Sequence, residues 1–373
     1  MFILLIMNFK VNNSYLLGAL KSLNITVPTR STLPILSCVL FSSDGQGLRL
    51  RSTDLEVSLE FFLPAQIQEP FNIAIPISKI LSICSSLTNE DLSFEIKNNA
   101  IKITTEFGEY KIMGQSPEEF PAETKINENE KITFESKKIS ELINYTINST
   151  STDDLKPSLQ GVLFDVNEAK TILVSTDGHK LSKIEEAQNN AISKKIIIPT
   201  KFLKLLQGFL TEDEKIDLII GENHVQAFFE KVKTTTRLIN DQYPDYEKVI
   251  PKGNENEITV QTKDLISSLK RVSVFSNKKT KQAILSIKEN TIEIKTEDVE
   301  TATSAKEKII CEQAGPEQEI VIAFNGDYLK EILEKTKTVE TKILIKDALS
   351  AALILPKEDT TNKISLLMPI RLS

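Results

Sequence analysis

Tryptophan is absent from this sequence, and histidine and cysteine are scarce. Two histidines, His179 and His224, are too few for a histidine-rich metal site. Cys38, Cys84 and Cys311 lie far apart without CxxC spacing, a pattern typical of reduced, buried thiols in a cytoplasmic protein. We therefore expect a cytoplasmic protein without a metal site or another cofactor.

Long apolar segments and nucleotide-binding motifs are missing as well. The apolar start of the chain, MFILLIM, is far shorter than the roughly 20 residues that cross a bilayer, and it lacks the basic region and cleavage site of a signal peptide. We interpret residues 1–6 as an extension that takes no part in the fold. The sequence contains no GxxxxGK(S/T) phosphate loop, no GxGxxG after a strand and no GxSxG elbow, so ATP-driven, dinucleotide-dependent and serine-esterase chemistry are not expected.

Length and net charge narrow the possibilities further. A chain of 373 residues is long for one hydrophobic core and fits two or three domains. The net charge of −7 argues against nonspecific binding to nucleic acid, provided that the charge is evenly spread. The distribution of charge along the chain therefore matters more than its total.

Four landmarks recur in the same order along the chain, which indicates three copies of one unit. Each copy begins with a short strand that leads into an amphipathic helix, with Asn, Ser or Thr at the position expected for an N-cap. A strand with an acidic turn follows, then a strand with Pro or Asn before a second helix, and finally an apolar residue before proline. The first landmark begins at Phe9, Ile132 and Ile258, and the acidic residue of the second is Asp54, Asp177 and Glu297. The third landmark has Pro76, Pro199 and Asn325 before its helix, and the last has the prolines Pro121, Pro244 and Pro369.

Alternation of apolar and polar residues between the landmarks predicts about eight short strands beside the two helices of each copy. The fold class is therefore α+β, with three tandem domains that each pack two helices on antiparallel sheets. The strands of each domain fall into two similar halves, which indicates an internal pair. We expect domains at residues 7–126, 127–252 and 253–373, with linkers near 124–131 and 250–257.

One segment, Ser175-Thr176-Asp177-Gly178-His179, combines the residue types of a catalytic triad. Triad members converge from distant parts of a chain, whereas these residues follow one another on a strand and its turn. Ser175 and Asp177 would share one face of that strand and could not relay a proton through the residue between them. We interpret the segment as an Asp-Gly turn with a partly exposed histidine, and keep hydrolysis through His179 as a weaker alternative.

Positive charge is concentrated on the predicted helices, whereas strands and turns carry clustered acids such as Glu118-Glu119. A single helical lysine is most often only a solvated side chain, but here lysines recur on equivalent helices. If those helices face a common axis, their charges combine into a positive lumen that would hold a phosphate backbone without reading its sequence. The cations are Lys263, Lys270 and Arg271 with Lys278, Lys279 and Lys281 beyond them, and Lys79, Lys201, Lys204, Lys330, Lys335 and Lys337 on the second helices.

Several segments are similar to the bacterial DNA polymerase III beta subunit family, the sliding clamps. They are TLPIL from Thr32, STDLE from Ser52, STDGHKL from Ser175, YPDY from Tyr243 and MPIRL from Met368. The resemblance implies a head-to-tail homodimeric ring, in which two chains contribute six domains, encircling double-stranded DNA of any sequence and tethering the replicative polymerase. A separate clamp loader with its own ATPase would open the ring, so the chain itself would be a processivity factor without catalysis.

The resemblance also implies the sites. Tyr110 and Ile112 of the first domain would pair with Val274 and Phe275 of the third across the dimer interface, although these residues equally fit an ordinary core. DNA binding is expected at the helix cations Lys79, Lys201, Lys204, Lys270 and Arg271 and, from the resemblance, at Arg30 and the loop with Lys156. Peptide motifs of polymerases, the clamp loader and repair proteins would bind a pocket between the second and third domains, made by Thr176, Gly178, His179, Lys180, Leu181, Pro244, Lys248, Val249, Leu366, Met368, Pro369, Ile370 and Arg371.

This chain departs from the family pattern at some of these positions. Lys180 and Lys248 stand where the family often has arginine, so bidentate contacts with a bound peptide would be absent. Pro157 and Ser158 replace the paired tyrosines sometimes found after the basic position at Lys156, so stacking on DNA is not expected there. Leu181, Val249, Leu366 and Met368 would still form an adaptable apolar socket. A repeat scaffold of the same fold without DNA binding is the second alternative.

Overall fold

The structure is a computed structural model that describes residues 6–126, 130–211, 214–314, 319–358 and 362–372. The first copy contains β1 (Met7–Asn12), α1 (Asn13–Leu23), β2 (Cys38–Ser43), β3 (Leu48–Thr53), β4 (Val57–Leu63), β5 (Gln66–Ile67), β6 (Phe71–Pro76), α2 (Ile77–Ser86), β7 (Asp91–Lys97), β8 (Ala100–Thr104) and β9 (Glu109–Met113). The second contains β10 (Lys131–Glu135), α3 (Ser136–Thr146), β11 (Gly161–Val166), β12 (Lys170–Thr176), β13 (Lys180–Ala187), β14 (Lys194–Pro199), α4 (Thr200–Gln207), β15 (Lys215–Ile220), β16 (His224–Phe228) and β17 (Val232–Arg237). The third contains β18 (Asn256–Gln261), α5 (Thr262–Val272), β19 (Gln282–Lys288), β20 (Thr291–Asp298), β21 (Thr303–Ala314), β22 (Ile320–Asn325), α6 (Gly326–Thr336), β23 (Glu340–Ile345), β24 (Ala352–Pro356) and β25 (Ile364–Leu367).

One apolar stripe on each helix explains how the helices pack. In α1, Leu16, Leu20 and Leu23 recur at helical spacing and are buried, and Leu265 and Leu269 do the same in α5. The opposite faces are polar. Within the part of the chain that the structure describes, no helix is both long and apolar enough to cross a membrane.

The N-cap prediction is right for the first copy and wrong for the other two. Asn12 caps α1 and its side chain accepts a hydrogen bond from the backbone N–H of Ser14. Ser136 and Thr262 are instead the first helical residues of α3 and α5, and both are buried. The N-cap positions belong to the preceding residues, Glu135 and Gln261, whose backbone is extended and whose side chains make no capping hydrogen bond.

One tertiary contact is repeated in all three copies. The first residue of the first helix donates its backbone N–H to a carbonyl in the loop that follows the second helix of the same copy. The bonds are Asn13 to Glu90 at 2.8 Å, Ser136 to Glu214 at 2.8 Å and Thr262 to Val339 at 2.9 Å. The repeat seen in the sequence therefore extends to individual backbone hydrogen bonds.

Each copy consists of two halves with the same plan, as predicted. In the second copy, β10-α3-β11-β12-β13 is followed by β14-α4-β15-β16-β17. The sheet orders are β14-β11-β12-β13 and β10-β15-β16-β17, so the leading strand of each half pairs in the sheet of the other half. The third copy has the same orders, β22-β19-β20-β21 and β18-β23-β24-β25.

The described residues form two compact units, and the first comprises Met1–Phe134 and Lys215–Arg237. It holds a sheet of order β5-β1-β7-β8-β9 and a second of order β10-β15-β16-β17-β4-β3-β2-β6. In the second sheet, β17 of the second copy pairs antiparallel with β4 of the first, with Thr235 opposite Ser58.

The second unit comprises Glu135–Glu214 and Leu238–Ser373. Its strands form one sheet of order β14-β11-β12-β13-β25-β24-β23-β18-β21-β20-β19-β22. Here β13 of the second copy pairs antiparallel with β25 of the third, with Leu181 opposite Leu366. Because the two half-sheets of the second copy join different neighbours, the border between the compact units runs through that copy.

The acidic turn is present in each copy, but one predicted landmark is wrong by a residue. Asp54 and Asp177 each accept two backbone N–H groups of their own turn. In the third copy this place belongs to Asp298, which accepts the N–H of Glu300, whereas Glu297 lies inside β20. The carboxylate that closes the turn must stand where the strand ends, and Asp298, the last residue of β20, does so, whereas Glu297 comes one residue too early.

The cysteines are free and buried, as predicted. Burial raises the pKa of Cys84 to about 12 and that of Cys311 to about 11. Burial also raises the pKa of Cys38, against a hydrogen bond from Ser37 that lowers it. Thiols of this kind stay protonated at neutral pH and pack in the core.

Candidate functional site

The turn between β12 and β13 is held rigid by its own side chains. The Asp177 carboxylate accepts the backbone N–H groups of His179 at 2.8 Å and Lys180 at 2.9 Å. The Thr176 hydroxyl accepts the N–H of Gly178 and donates to the Lys180 carbonyl. Gly178 has a φ of +92°, a left-handed conformation that glycine adopts at least cost. The turn therefore presents His179 to solvent in a fixed place.

The C-terminal strand lies against this turn. Leu181 on β13 faces Leu366 on β25, and both are buried in one apolar cluster. The N–H of Met368 donates to the carbonyl of His179 at 2.8 Å. The structure thus brings together two predicted pocket segments that are far apart in sequence, and Met368 stays 40% exposed beside them.

The third predicted segment approaches the same cluster through Tyr246. Tyr246 is buried in the cluster that contains Leu181 and Leu366. The residues around it, Pro244, Lys248 and Val249, are exposed. The Lys248 ammonium lies 2.8 Å from the Asp245 carboxylate, so this cation already has an acidic neighbour.

The last residues of the predicted pocket are fixed by hydrogen bonds within the third copy. Ile370 donates its N–H to the carbonyl of Ala323 at 2.8 Å, and the Arg371 carbonyl accepts from the side chain of Gln282 at 3.0 Å. Pro369 and Ile370 are half-buried, and Arg371 is exposed. Backbone bonds of this kind hold the tail in a defined path beside the apolar cluster.

Lys180, which the resemblance assigns to the pocket, is held by contacts with another element of the same unit. Its side chain is almost fully buried, with the ammonium 2.8 Å from Glu331 and 4.3 Å from the ring centre of Tyr328. Both partners lie on α6, and nothing in the sequence pattern predicts them. Burial, and then the charges of Asp177 and Glu331, raise the pKa of Tyr328. Lys180 therefore fastens the turn to α6.

No sequence signal identifies this contact. Lys180 and Glu331 are 151 residues apart. The amphipathic pattern of α6 marks Glu331 only as a polar residue on a helix, because the pattern carries no information about the facing element.

Ser175 has a structural partner that repeats in each copy. Its buried hydroxyl donates to the Thr146 carbonyl, in the last turn of α3, at 2.5 Å. Ser52 does the same to Leu23 at 3.0 Å, and Thr296 to Val272 at 2.6 Å. Because the Asp177 carboxylate is also engaged by its own turn, Ser175, Asp177 and His179 each serve the local structure, which argues against the hydrolase alternative.

The junction of the first and second copies has the same register but different chemistry. The pair Leu181 and Leu366 corresponds to Ser58 and Thr235, and the bond from Met368 to His179 corresponds to one from the Arg237 N–H to the Glu56 carbonyl at 2.9 Å. An apolar floor is thus a property of the second junction, whereas hydroxyl groups occupy the matching places at the first.

Positive charge is concentrated on the helices, as predicted. The six helices of the described residues carry eleven Lys or Arg and five Asp or Glu, a net charge of +6 in a chain of −7. The exception is α6, where Asp327, Glu331 and Glu334 outnumber Lys330 and Lys335. Lys337 lies just beyond its end.

The predicted DNA-binding cations are all exposed. They are Arg30, Lys79, Lys156, Lys201, Lys204, Lys270 and Arg271. Lys270 and Arg271 each face a carboxylate. Lys270 lies 2.8 Å from Glu334 of α6, and Arg271 makes two hydrogen bonds to Glu307 of β21, at 2.7 Å and 2.5 Å.

The four residues predicted for a dimer interface lie at surfaces. Tyr110 and Ile112 are half-buried on β9, which ends the order of its sheet within the described residues. Val274 is 78% exposed and Phe275 41% exposed, in the turn after α5. The alternative that all four belong to an ordinary core is therefore wrong.

Comparison with known proteins gives a consistent result. Family models of the DNA polymerase III beta subunit match residues 7–124 with the N-terminal domain, 133–245 with the central domain and 247–371 with the C-terminal domain. The beta sliding clamp of Pseudomonas aeruginosa is 29% identical over 372 residues, which cover 98% of this chain and 100% of the relative.

Solved structures of sliding clamps are similar to this chain over almost its whole length. A sliding clamp from Pseudomonas aeruginosa, solved bound to griselimycin, has a TM-score of 0.90 at 26% identity, covering 98% of this chain and 100% of the other. The sliding clamp from Bacillus subtilis has a TM-score of 0.93 at 25% identity, with the same coverage.

Proposed function

The chain belongs to the DNA polymerase III beta subunit family, and on that premise we propose that it is a sliding clamp, which encircles duplex DNA and confers processivity on the replicative polymerase. It acts as an accessory factor without catalysis of its own, in the cytoplasm, where its reduced, buried cysteines are stable. Its domains are residues 7–126, 127–252 and 253–373.

The distribution of charge carries the proposal. Helices with a net charge of +6 in a chain of −7 give a protein that repels nucleic acid over most of its surface and attracts it along the helices. When equivalent helices of all copies line one opening, their lysines contact phosphates without sequence preference. Arg30, Lys79, Lys156, Lys201 and Lys204 are the exposed cations that we assign to this role.

Ring closure requires a second chain. We assign the interface to β9, with Tyr110 and Ile112, and to the turn that exposes Val274 and Phe275. Among the described residues, β9 pairs with β8 alone, so its second edge is open to a strand of another chain. A head-to-tail contact between unlike surfaces can close into a ring of two chains, in which the free edge of β9 is covered in both chains.

Mass in solution tests the ring. Light scattering at micromolar concentration should give twice the mass of the 41.8 kDa chain. Phe275→Asp, which places a charge in the interface, should give a monomer with unchanged far-ultraviolet circular dichroism. A matched change at the exposed Val339, Val339→Asp, should leave the dimer intact. A wild-type monomer would contradict the ring.

The second junction provides the site for partner peptides of polymerases, the clamp loader and repair proteins. Its floor is apolar and buried, Met368 and Val249 are exposed at its rim, and the turn with His179 is rigid. An extended peptide needs such a socket together with a few polar groups that fix its direction. We add Tyr328 to the predicted residues, because its ring lies beside Lys180.

A titration tests this assignment. A peptide of the type Gln-Leu-x-Leu-Phe should bind the wild type about tenfold more tightly than Met368→Ala, because the bound peptide would bury part of the exposed Met368 side chain and the loss of that contact removes roughly 1.4 kcal/mol. Leu349→Ala, which changes an exposed apolar residue elsewhere, should bind as the wild type does. Equal affinity of the wild type and Met368→Ala would rule out the pocket.

A further inference from the structure

We infer that Lys21 of α1 is a DNA contact and that Lys270 and Arg271 of α5 are not. The inference rests on the proposed clamp function. It corrects a pattern that looks symmetric in the sequence, where lysines recur on equivalent helices.

Lys21 and Lys270 occupy the same position in the repeat. Each is the ninth residue of the first helix of its copy, and each of these helices packs on the second helix of the same copy. The two second helices differ at their own ninth residue, which is Ser85 in α2 and Glu334 in α6. An acid therefore faces Lys270, whereas the corresponding residue near Lys21 is a neutral serine.

The ion pairs follow from this difference. The Lys270 ammonium lies 2.8 Å from the Glu334 carboxylate. Lys21 is exposed and has no ion pair with any residue in the described ranges. It lies in the last turn of α1, a helix without acidic residues, and α2 contributes Lys79 without an acid either. The first pair of helices thus offers an uncompensated positive surface.

Arg271 is compensated more strongly. It donates two hydrogen bonds to Glu307 in the bidentate geometry that suits guanidinium and carboxylate. The hydrogen bond raises the pKa of Arg271 and lowers that of Glu307, so both groups stay charged. The guanidinium N–H groups of Arg271 that would otherwise donate to a phosphate already donate to Glu307.

An exposed ion pair is weak, and Lys270 could leave Glu334 for a phosphate. The carboxylate would nevertheless remain beside the phosphate and repel it. DNA affinity depends on the number of phosphates that are neutralised, so a cation with a carboxylate neighbour adds little. The two helices of each copy carry a net charge of +2 in the first copy, +3 in the second and +1 in the third.

A salt titration tests the inference. Binding to a labelled linear duplex with free ends is measured by fluorescence anisotropy from about 20 to 150 mM salt, a range over which the screening of charges changes strongly. Lys21→Ala should reduce the slope of log affinity against log salt by about 1 for each phosphate that the variant no longer neutralises. Lys270→Ala and Arg271→Ala should leave the slope unchanged. Lys10→Ala, which removes an exposed lysine from β1, is the matched control and should also leave it unchanged.

The outcomes separate the inference from the proposed function. If the wild type does not bind duplex at low salt, the clamp function itself fails. If the wild type binds, but the slope falls for Lys270→Ala and not for Lys21→Ala, the inference is overturned. Thermal unfolding of each variant accompanies the titration, so that a smaller folded fraction is not mistaken for weaker DNA binding.

Discussion

Ser175→Ala separates a structural role for the STDGHKL segment from a chemical one. The Ser175 hydroxyl is inaccessible to solvent and donates to the Thr146 carbonyl at 2.5 Å. Its removal takes away one buried hydrogen bond, worth roughly 0.5–1.5 kcal/mol, and leaves an acceptor in the last turn of α3 without that donor. We expect the free energy of unfolding to fall by about 1–2 kcal/mol.

Urea unfolding followed by circular dichroism measures this change. Protein concentration must be the same for all variants, because dimer formation adds to the apparent stability. His179→Ala, on the exposed turn, is the control and should change the free energy of unfolding by less than about 0.5 kcal/mol.

The repeat makes the prediction stricter. Ser52→Ala and Thr296→Val remove the equivalent hydroxyls of the first and third copies, which donate to Leu23 and Val272. Both should destabilise the protein by a similar amount. If Ser175→Ala leaves the stability unchanged, or if it removes an esterase activity that His179→Ala also removes, the structural account of the segment is refuted.

Three other perturbations follow from the site. Leu366→Ala should lower the free energy of unfolding by about 2–5 kcal/mol, measured in urea, because the side chain is buried between β13 and β24; a decrease below about 1 kcal/mol would contradict this packing. Gly178→Ala should destabilise by about 1 kcal/mol despite open space around the residue, because its φ of +92° is unfavourable for alanine; unchanged stability would contradict the turn geometry. Burial alone would raise the pKa of Glu185, but hydrogen bonds from Lys170 and Lys183 hold that pKa below its usual value. The stability that Glu185 contributes is therefore present near neutral pH and is lost as the pH falls through its lowered pKa. Glu185→Gln should reduce the difference between the thermal midpoints at pH 7 and at pH 4, which is roughly the ordinary pKa of a glutamate. An unchanged difference would contradict the pairing of Glu185 with Lys170 and Lys183.

The repeat could be predicted from the sequence because its signals are local. Proline or asparagine before a helix, an aspartate that closes a turn and apolar residues at helical spacing all act over a few residues. The two-half plan follows from the same signals, since each half begins with a strand and a helix. Errors are confined to single positions, such as Glu297 for Asp298 and the N-caps of α3 and α5.

Pairings over long distances could not be predicted in this way. The pairing of β13 with β25 depends on matching Leu181 with Leu366, and one apolar strand resembles another. The resemblance to the family supplied that juxtaposition. The acids that face Lys180, Lys270 and Arg271 lie on other elements, and their effect on function depends on distances that a single sequence does not contain.

Retention on circular DNA tests the central claim most directly. The protein is loaded onto a nicked circular duplex by a clamp loader with ATP and then isolated by gel filtration at a salt concentration that removes protein held by charge alone. A sliding clamp should remain on the circle and leave when a restriction enzyme linearises it. Equal loss from circular and linear DNA would contradict encirclement, and with it the account of this chain as a clamp.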